Sequence, residues 1–269
     1  QKLIGNPYDM LQDEEILQDT CWTMSYLSDG ENDRIQIFID NNLVSPIVLL
    51  LDHPSLNVKI PALRTVGNLL TGNHMQTQNL VDSNVLEYLQ PLLNYEQKTI
   101  KKESCWAVSN ITAGTHNQIN AVLQTGIIPR IVDIINGTES WNIKNEACWV
   151  VANATNGGTP RQLLAIISVP GCIAGLCDML RYNETKLIIV LLESLDNFLR
   201  VAEMSRREKG LTINQVAIEM ELCGGLEEIE NLQIHQNEEI SDLSTYLLEE
   251  YFDAESSIEE QNLNITYNF

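Results

Sequence analysis

Apolar residues recur at helical spacing along most of the chain, and no stretch shows the convincing alternation of a half-buried strand. In one stretch the spacing predicts three helices: Gln78 to Asp82, a second containing Pro91-Leu92-Leu93, and Ile100 to Thr112, closed by Gly114. Proline recurs near the middle helix as Pro46, Pro91 and Pro129, where a helix start tolerates the missing N–H. The third helix is the one that repeats most visibly. Cys21-Trp22-Thr23-Met24-Ser25-Tyr26-Leu27-Ser28-Asp29-Gly30 aligns with the segments beginning at Cys105-Trp106, at Cys148-Trp149 and, degenerately, at Leu63-Arg64. Within it Tyr26, Asn68, Asn110, Asn153 and Asn197 lie 42, 42, 43 and 44 residues apart.

A unit of about 42 residues holding three helices cannot bury its apolar face alone, so such units must stack. The predicted fold class is therefore all-α, a right-handed α-solenoid with a one-dimensional core. About six repeats fill residues 1–252, the first of them incomplete. The pattern weakens after the fourth clear unit but continues: Leu191 to Leu199 keeps the asparagine, and Leu243 to Phe252 reads as a capping helix. Residues 253–269 read as an acidic, disordered tail. At the other end Lys2-Leu3-Ile4 reads as the end of an amphipathic helix following a first residue, Gln1, that is not Met, so the chain is expected to be a fragment or a processed form. Gly5-Asn6-Pro7-Tyr8-Asp9-Met10 is expected to form a surface loop in the first repeat.

Composition narrows the function classes. The 269 residues carry 37 acidic and 16 basic side chains, a net charge of −21, with 44% hydrophobic residues, enough apolar material for a folded core. That charge repels nucleic-acid phosphates and anionic lipid and favours a basic ligand. No apolar run approaches the length of a membrane span, Leu187 to Leu192 being the best short stretch. Six cysteines (Cys21, Cys105, Cys148, Cys172, Cys177, Cys223) lack metal-site spacing and read as small buried hydrophobes. Asn-x-Ser/Thr sequons at Asn110, Asn136, Asn153, Asn183 and Asn264 matter only in a secreted protein.

Candidate chemistry lies on the repeated helix. Trp106 and Asn110, four residues apart, share one helical face, and stacking sets them beside Trp149 and Asn153. An asparagine amide offers a donor and an acceptor to an extended ligand backbone. Indole faces flank long aliphatic stems and attract a cation by roughly 0.5 to 2 kcal/mol. Three residues before each tryptophan stand Asp19, Glu103 and Glu146, completing three pockets for Lys or Arg. Taken singly, such a tryptophan is better explained as core, and such an asparagine as satisfying a neighbouring repeat's backbone. Taken together in one register, in two adjacent repeats, they favour binding.

The pattern Cys-Trp-x-x-Ser-Asn-x-Thr-x-Gly at Cys105, together with Ala62 to Asn73, Lys101 to Trp106 and Cys223-Gly224-Gly225-Leu226, resembles the armadillo repeats of importin-α, the adaptor family that binds nuclear localisation signals. The resemblance covers nearly the whole chain and corresponds to the C-terminal half of that family's solenoid. It implies that Trp106, Asn110, Trp149 and Asn153 form the minor cargo groove, that Asn68 extends the asparagine row, and that Glu103 and Glu146 are its acidic pocket residues. Leu70, Thr71 and Thr77 match positions bordering the key Lys/Arg pocket. Arg64 stands where the tryptophan is replaced and Tyr26 where the asparagine is, so Trp22 and Asp19 belong to the edge of the major groove. The resemblance further implies an importin-β partner through an N-terminal region absent from this chain, contacts of the last repeats with an export receptor and a nucleoporin, no cofactor, and shuttling between cytoplasm and nucleus.

Two other classes compete. An armadillo scaffold in signalling or adhesion, binding acidic or apolar partners, would be supported by a basic groove; Lys101, Lys102 and Lys144 lie near the predicted one. An enzyme finds no GxSxG elbow, phosphate-binding glycine loop, HExxH or metal-spaced cluster among His53, His74, His116 and His235. Arg206-Arg207-Lys209 resembles a tiny localisation signal but reads better as a solvated inter-repeat loop.

Overall fold

A computed structural model describes residues 13–252, so the expectations for residues 1–12 and for the tail 253–269 lie outside the described residues. The described residues form sixteen α-helices and no strand: the fold is an all-α armadillo solenoid. None of these helices is long and apolar enough to cross a membrane. The chain divides into two compact units, residues 1–162 and 163–269.

In the first unit α1 (Glu14–Ser28) is followed by three complete triplets. These are α2 (Asn32–Asp40), α3 (Val44–Leu49) and α4 (Leu56–Leu69); α5 (His74–Asp82), α6 (Val85–Leu92) and α7 (Lys98–Thr112); α8 (His116–Gln124), α9 (Ile127–Asn136) and α10 (Trp141–Gly157). The third helices pack in series, α1 on α4, α4 on α7 and α7 on α10. Their buried residues explain the order: Ile100, Ser104, Ala107, Val108 and Ile111 in α7, and Ile143, Ala147, Val150, Val151 and Ala154 in α10, recur three and four apart. Each buried aliphatic side chain contributes about 1.5 to 3 kcal/mol.

The helix α11 (Pro160–Ile167) runs across the boundary between the units. The second unit holds α12 (Cys172–Met179), α13 (Thr185–Lys209), α14 (Gln215–Leu222), α15 (Gly225–Leu232) and α16 (Glu238–Tyr251). Here α13 packs on α16, and Phe198 is fully buried.

The turn from the first to the second helix of a repeat needs one left-handed residue, supplied by Asn42 (φ 56), Asn84 (φ 60), Gly126 (φ 73), Gly171 (φ 79) and Gly224 (φ 80). Only glycine and, at modest cost, asparagine fill such a position.

Several local expectations change. The first helix of the second triplet begins at His74, not Gln78, because Asn73 and Gln76 form a reciprocal capping box ahead of the apolar residues. Pro46 and Pro129 lie near helix starts, but Pro91 is in the last turn of α6, where the helix is already ending. Gly114 does not close α7 with a left-handed turn; a Cβ there would lie 2.0 Å from Gln118 Oε1, so it is small to admit that side chain. Gly72 does the same for Gln76, at 2.4 Å. The capping helix starts at Glu238 rather than Leu243. Arg206, Arg207 and Lys209 form the last turn of α13 and not a loop, with Arg206 and Arg207 both on Glu203. The Arg206 hydrogen bond holds the Glu203 carboxyl down at about 2.

Candidate peptide-binding face of the first unit

All fourteen candidate residues fall in the first unit, most of them on the third helices α1, α4, α7 and α10. On α7, Trp106 and Asn110 are both half-buried, as are Trp149 and Asn153 on α10, one turn apart in each case. The indole of Trp106 reaches its place because Gly67 of α4 carries no side chain: a Cβ there would lie 2.2 Å from Trp106 Cζ3. On α1, Trp22 stacks with the exposed Tyr26, ring centroids 6.2 Å apart. Asp19, one turn earlier, is exposed.

The asparagines turn part of their amide inward. Asn110 Nδ2 donates to the Gly67 carbonyl at 3.3 Å, and Asn153 Nδ2 donates to the Ser109 carbonyl at 3.0 Å. Asn68 is buried and its Nδ2 donates to both the Ser25 carbonyl (2.8 Å) and Ser28 Oγ (3.2 Å). An amide nitrogen carries two protons. Asn68 therefore spends both inside the fold, whereas Asn110 and Asn153 spend one each and keep an N–H and the carbonyl oxygen. The recipient carbonyl always belongs to the residue just before the asparagine position of the preceding repeat, where Ser25, Gly67 and Ser109 are all small.

The Trp106 pocket already holds a cation. The Arg64 guanidinium lies 5.6 Å from the Trp106 ring centroid, and its Nη2 is 2.7 Å from Glu103 Oε1. Glu103 is buried and its Oε2 has no hydrogen-bond partner. Burial pushes the Glu103 carboxyl above the ordinary glutamate value, with Arg64 and then Lys102 pulling the other way. Burial likewise raises Glu146, opposed by Lys102 and reinforced by Glu103; Lys102 Nζ approaches Glu146 only to 3.9 Å. A cavity of about 310 Å³ on this face is lined by Trp22, Ser25, Tyr26, Asp29, Arg64, Asn68 and Trp106. Ser25 and Asp29 had no signal in the repeat pattern beyond their register.

Leu70 and Thr77 are buried, so their side-chain area is not available to a ligand. What they offer is polar: the Leu70 carbonyl accepts from Thr77 Oγ1 at 3.4 Å. Thr71 between them is exposed, its hydroxyl donating to the Asn68 carbonyl at 2.7 Å. Of the neighbouring lysines, Lys101 and Lys144 are buried, while the half-exposed Lys102 lies 3.9 Å from Glu146. Lys101 is paired with Glu139, and Lys59 is buried over the Tyr95 ring at 4.9 Å.

Comparison with known proteins agrees with the repeat. The armadillo/beta-catenin-like repeat family matches residues 73–113, and the atypical Arm repeat family matches residues 214–265. Importin subunit alpha-1b of Oryza sativa subsp. japonica is 46% identical over 242 residues, 90% of this chain and 45% of the relative. Importin subunit alpha-B of Dictyostelium discoideum is 51% identical over 247 residues, 90% of this chain and 47% of the relative. A designed armadillo repeat protein in complex with the peptide (KR)4 superposes with a TM-score of 0.76 at 27% identity, covering 91% of this chain and 99% of that one. The chain spans about half the length of the curated relatives it matches. Over that span, the chain is an armadillo-repeat chain similar to importin-α subunits.

Proposed function

We propose that the first unit binds Lys/Arg-rich nuclear localisation signals in an extended conformation and that the chain acts as the cargo-binding part of a non-enzymatic nuclear import adaptor. The observation that carries this is the Trp106 pocket, where an indole face and a buried carboxylate hold a guanidinium supplied by Arg64. A site that stacks and pairs one cation is chemically suited to another of the same kind. The Trp149, Glu146 and Asn153 set repeats the chemistry one unit on, with Lys102 only loosely placed. The remaining N–H and carbonyl of Asn110 and Asn153 serve the ligand backbone, the Leu70 carbonyl with Thr71 and Thr77 rims the key lysine pocket, and Trp22, Asp19 and Tyr26 form the edge of a second groove.

The relatives' names and the designed protein carrying (KR)4 support the same chemistry. As part of a longer adaptor the chain would work with importin-β through a region N-terminal to it, with an export receptor and a nucleoporin at its last repeats, and would shuttle between cytoplasm and nucleus.

The test is fluorescence polarisation with a labelled peptide carrying two Lys/Arg clusters, at fixed salt, against wild type, Trp149→Ala and Asn110→Ala. Loss of a cation–π contact of about 1 to 2 kcal/mol predicts roughly five- to thirtyfold weaker binding for Trp149→Ala. Loss of one hydrogen bond predicts a few-fold for Asn110→Ala. Thermal unfolding of each variant separates lost contacts from lost fold. Equal affinities in all three folded proteins would remove this face as the binding site. Capture of acidic peptides in preference to basic ones would instead establish a signalling or adhesion scaffold.

A further inference from the structure

In the register that sets Trp22 on α1, Trp106 on α7 and Trp149 on α10, the third helix α4 carries Arg64. Its side chain is 47% exposed, against 7% for the Glu103 side chain it pairs with. The pairing is single, not bidentate: Arg64 Nη2 donates to Glu103 Oε1 at 2.7 Å, while Oε2 is buried with no hydrogen-bond partner. The same guanidinium lies 5.6 Å from the Trp106 ring centroid. At the next pocket the residue in Arg64's register is Trp106 itself, and Glu146 meets Lys102 at 3.9 Å. Two pockets built from the same Trp, Glu and Asn therefore differ in their resident cation.

On the reading of this face as a basic-peptide site, we propose that Arg64 is an intramolecular competitor for the Trp106 pocket: its guanidinium holds the place that a lysine or arginine of the peptide takes, and leaves when the peptide binds. Arg64 thereby sets how much this pocket adds to affinity, whereas the Trp149 pocket, with Trp106 in that register, carries no such cost.

A side chain tethered one repeat away competes at an effective concentration on the order of millimolar, far above that of a free peptide. It is nonetheless displaceable. Half of it lies in water, where an ion pair is worth little, and it engages one of two carboxylate oxygens; a ligand guanidinium that forks across both makes the stronger bond. The displaced side chain has room. It already lines the cavity of about 310 Å³ together with Asp29 and Tyr26, and the Asp29 carboxylate offers it a new partner. The cost of emptying the pocket does not depend on what enters, so arginine and lysine peptides lose affinity by the same factor.

The test is fluorescence polarisation with a labelled (KR)4 peptide against the whole chain as wild type, Arg64→Ala and Arg34→Gln, at 0.15 M salt, where exposed charges are screened beyond about 8 Å. Arg34 is an exposed cation of α2 outside the pocket and controls for net charge. Binding should be roughly three- to tenfold tighter for Arg64→Ala, the worth of the cation–π contact that the peptide no longer displaces, and within about twofold of wild type for Arg34→Gln. Arg64→Gln, neutral but longer than alanine, repeats the comparison and covers a loss of fold in the alanine variant. Affinity of the Arg64 variants equal to or below that of wild type, or an equal gain in Arg34→Gln, overturns the proposal, while peptide binding by wild type keeps this face as the site. If neither wild type nor the Arg64 variants bind the peptide, the binding reading fails by itself, and thermal unfolding with ethylguanidinium decides the rest. A saturable rise in midpoint for the Arg64 variants beyond that of wild type supports a pocket filled by Arg64; equal shifts refute it.

Discussion

An indole packed flat against a neighbouring helix needs that helix to present bare backbone, and Gly67 provides it for Trp106. The same glycine offers the carbonyl that Asn110 binds, so one small residue on α4 seats both members of the Trp/Asn pair on α7. Gly67→Ala would place a methyl 2.2 Å from the ring, with helix backbone behind it and no room to relax except by moving the indole. Overpacking of this kind costs about 1 to 3 kcal/mol. The expected outcome is a lower unfolding midpoint together with a shifted tryptophan emission and weakened basic-peptide binding; unchanged emission and affinity would show that Trp106 does not depend on Gly67. The register of Trp106, Asn110 and Glu103 was legible in the sequence because one turn of helix fixes it. That Arg64 of the preceding repeat occupies the pocket was not, because contact between residues 39 apart depends on how two repeats stack.

Helices three repeats deep are held together by amides as well as by apolar burial. Gln76 Nε2 donates to the Asn32 carbonyl, Gln118 to that of His74 and Gln162 to that of His116, each reaching back to the start of the preceding repeat. Within its own repeat each glutamine's Oε1 accepts the N-cap N–H, from Asn73, Thr115 and Thr159 respectively. The asparagine ladder makes the parallel link between third helices. Asparagine was readable as a ligand group or as a backbone partner, and the structure gives it the second task in full at Asn68 and in half at Asn110 and Asn153. The glutamine ladder went unread although its period is the same, since a capping box satisfies the residue locally and hides its second bond. Gln118 is buried with both ends used, so Gln118→Ala should remove two hydrogen bonds, to the Thr115 N–H and the His74 carbonyl, and at about 0.5 to 1.5 kcal/mol each cost about 1 to 3 kcal/mol in chemical denaturation. Basic-peptide affinity measured below the transition should not change, which distinguishes a stacking residue from a binding one.

At the scale of the whole molecule, charge divides into two kinds. From Glu219 onward there are 14 acidic residues and no Lys or Arg, leaving 23 acids against 16 bases, or −7, over residues 1–218. Distant exposed charges are screened beyond about 8 Å at 0.15 M salt, so their pull on a basic peptide is a low-salt effect on encounter rate. Glu103 and Glu146 differ because burial shields them from salt and holds their carboxyls above the ordinary 4.5. A bound Lys or Arg would stabilise the ionised form and lower those values, so peptide affinity is complete above the raised range and falls as pH drops through it. The same two groups act oppositely on folding. A carboxyl raised in the folded state binds its proton more readily there than in the unfolded chain, so its contribution to stability grows as pH falls through that window. Measured at 0.15 M salt, wild-type affinity should therefore begin to decline above pH 4.5 while the unfolding midpoint does not. The Glu103→Gln, Glu146→Gln double variant should bind about tenfold or more weakly at pH 7, the loss of one or two charged contacts, and show a flat profile across the same range. If the double variant keeps the wild-type profile, the pH dependence belongs to the dispersed acidic surface and the pockets do not select the cation.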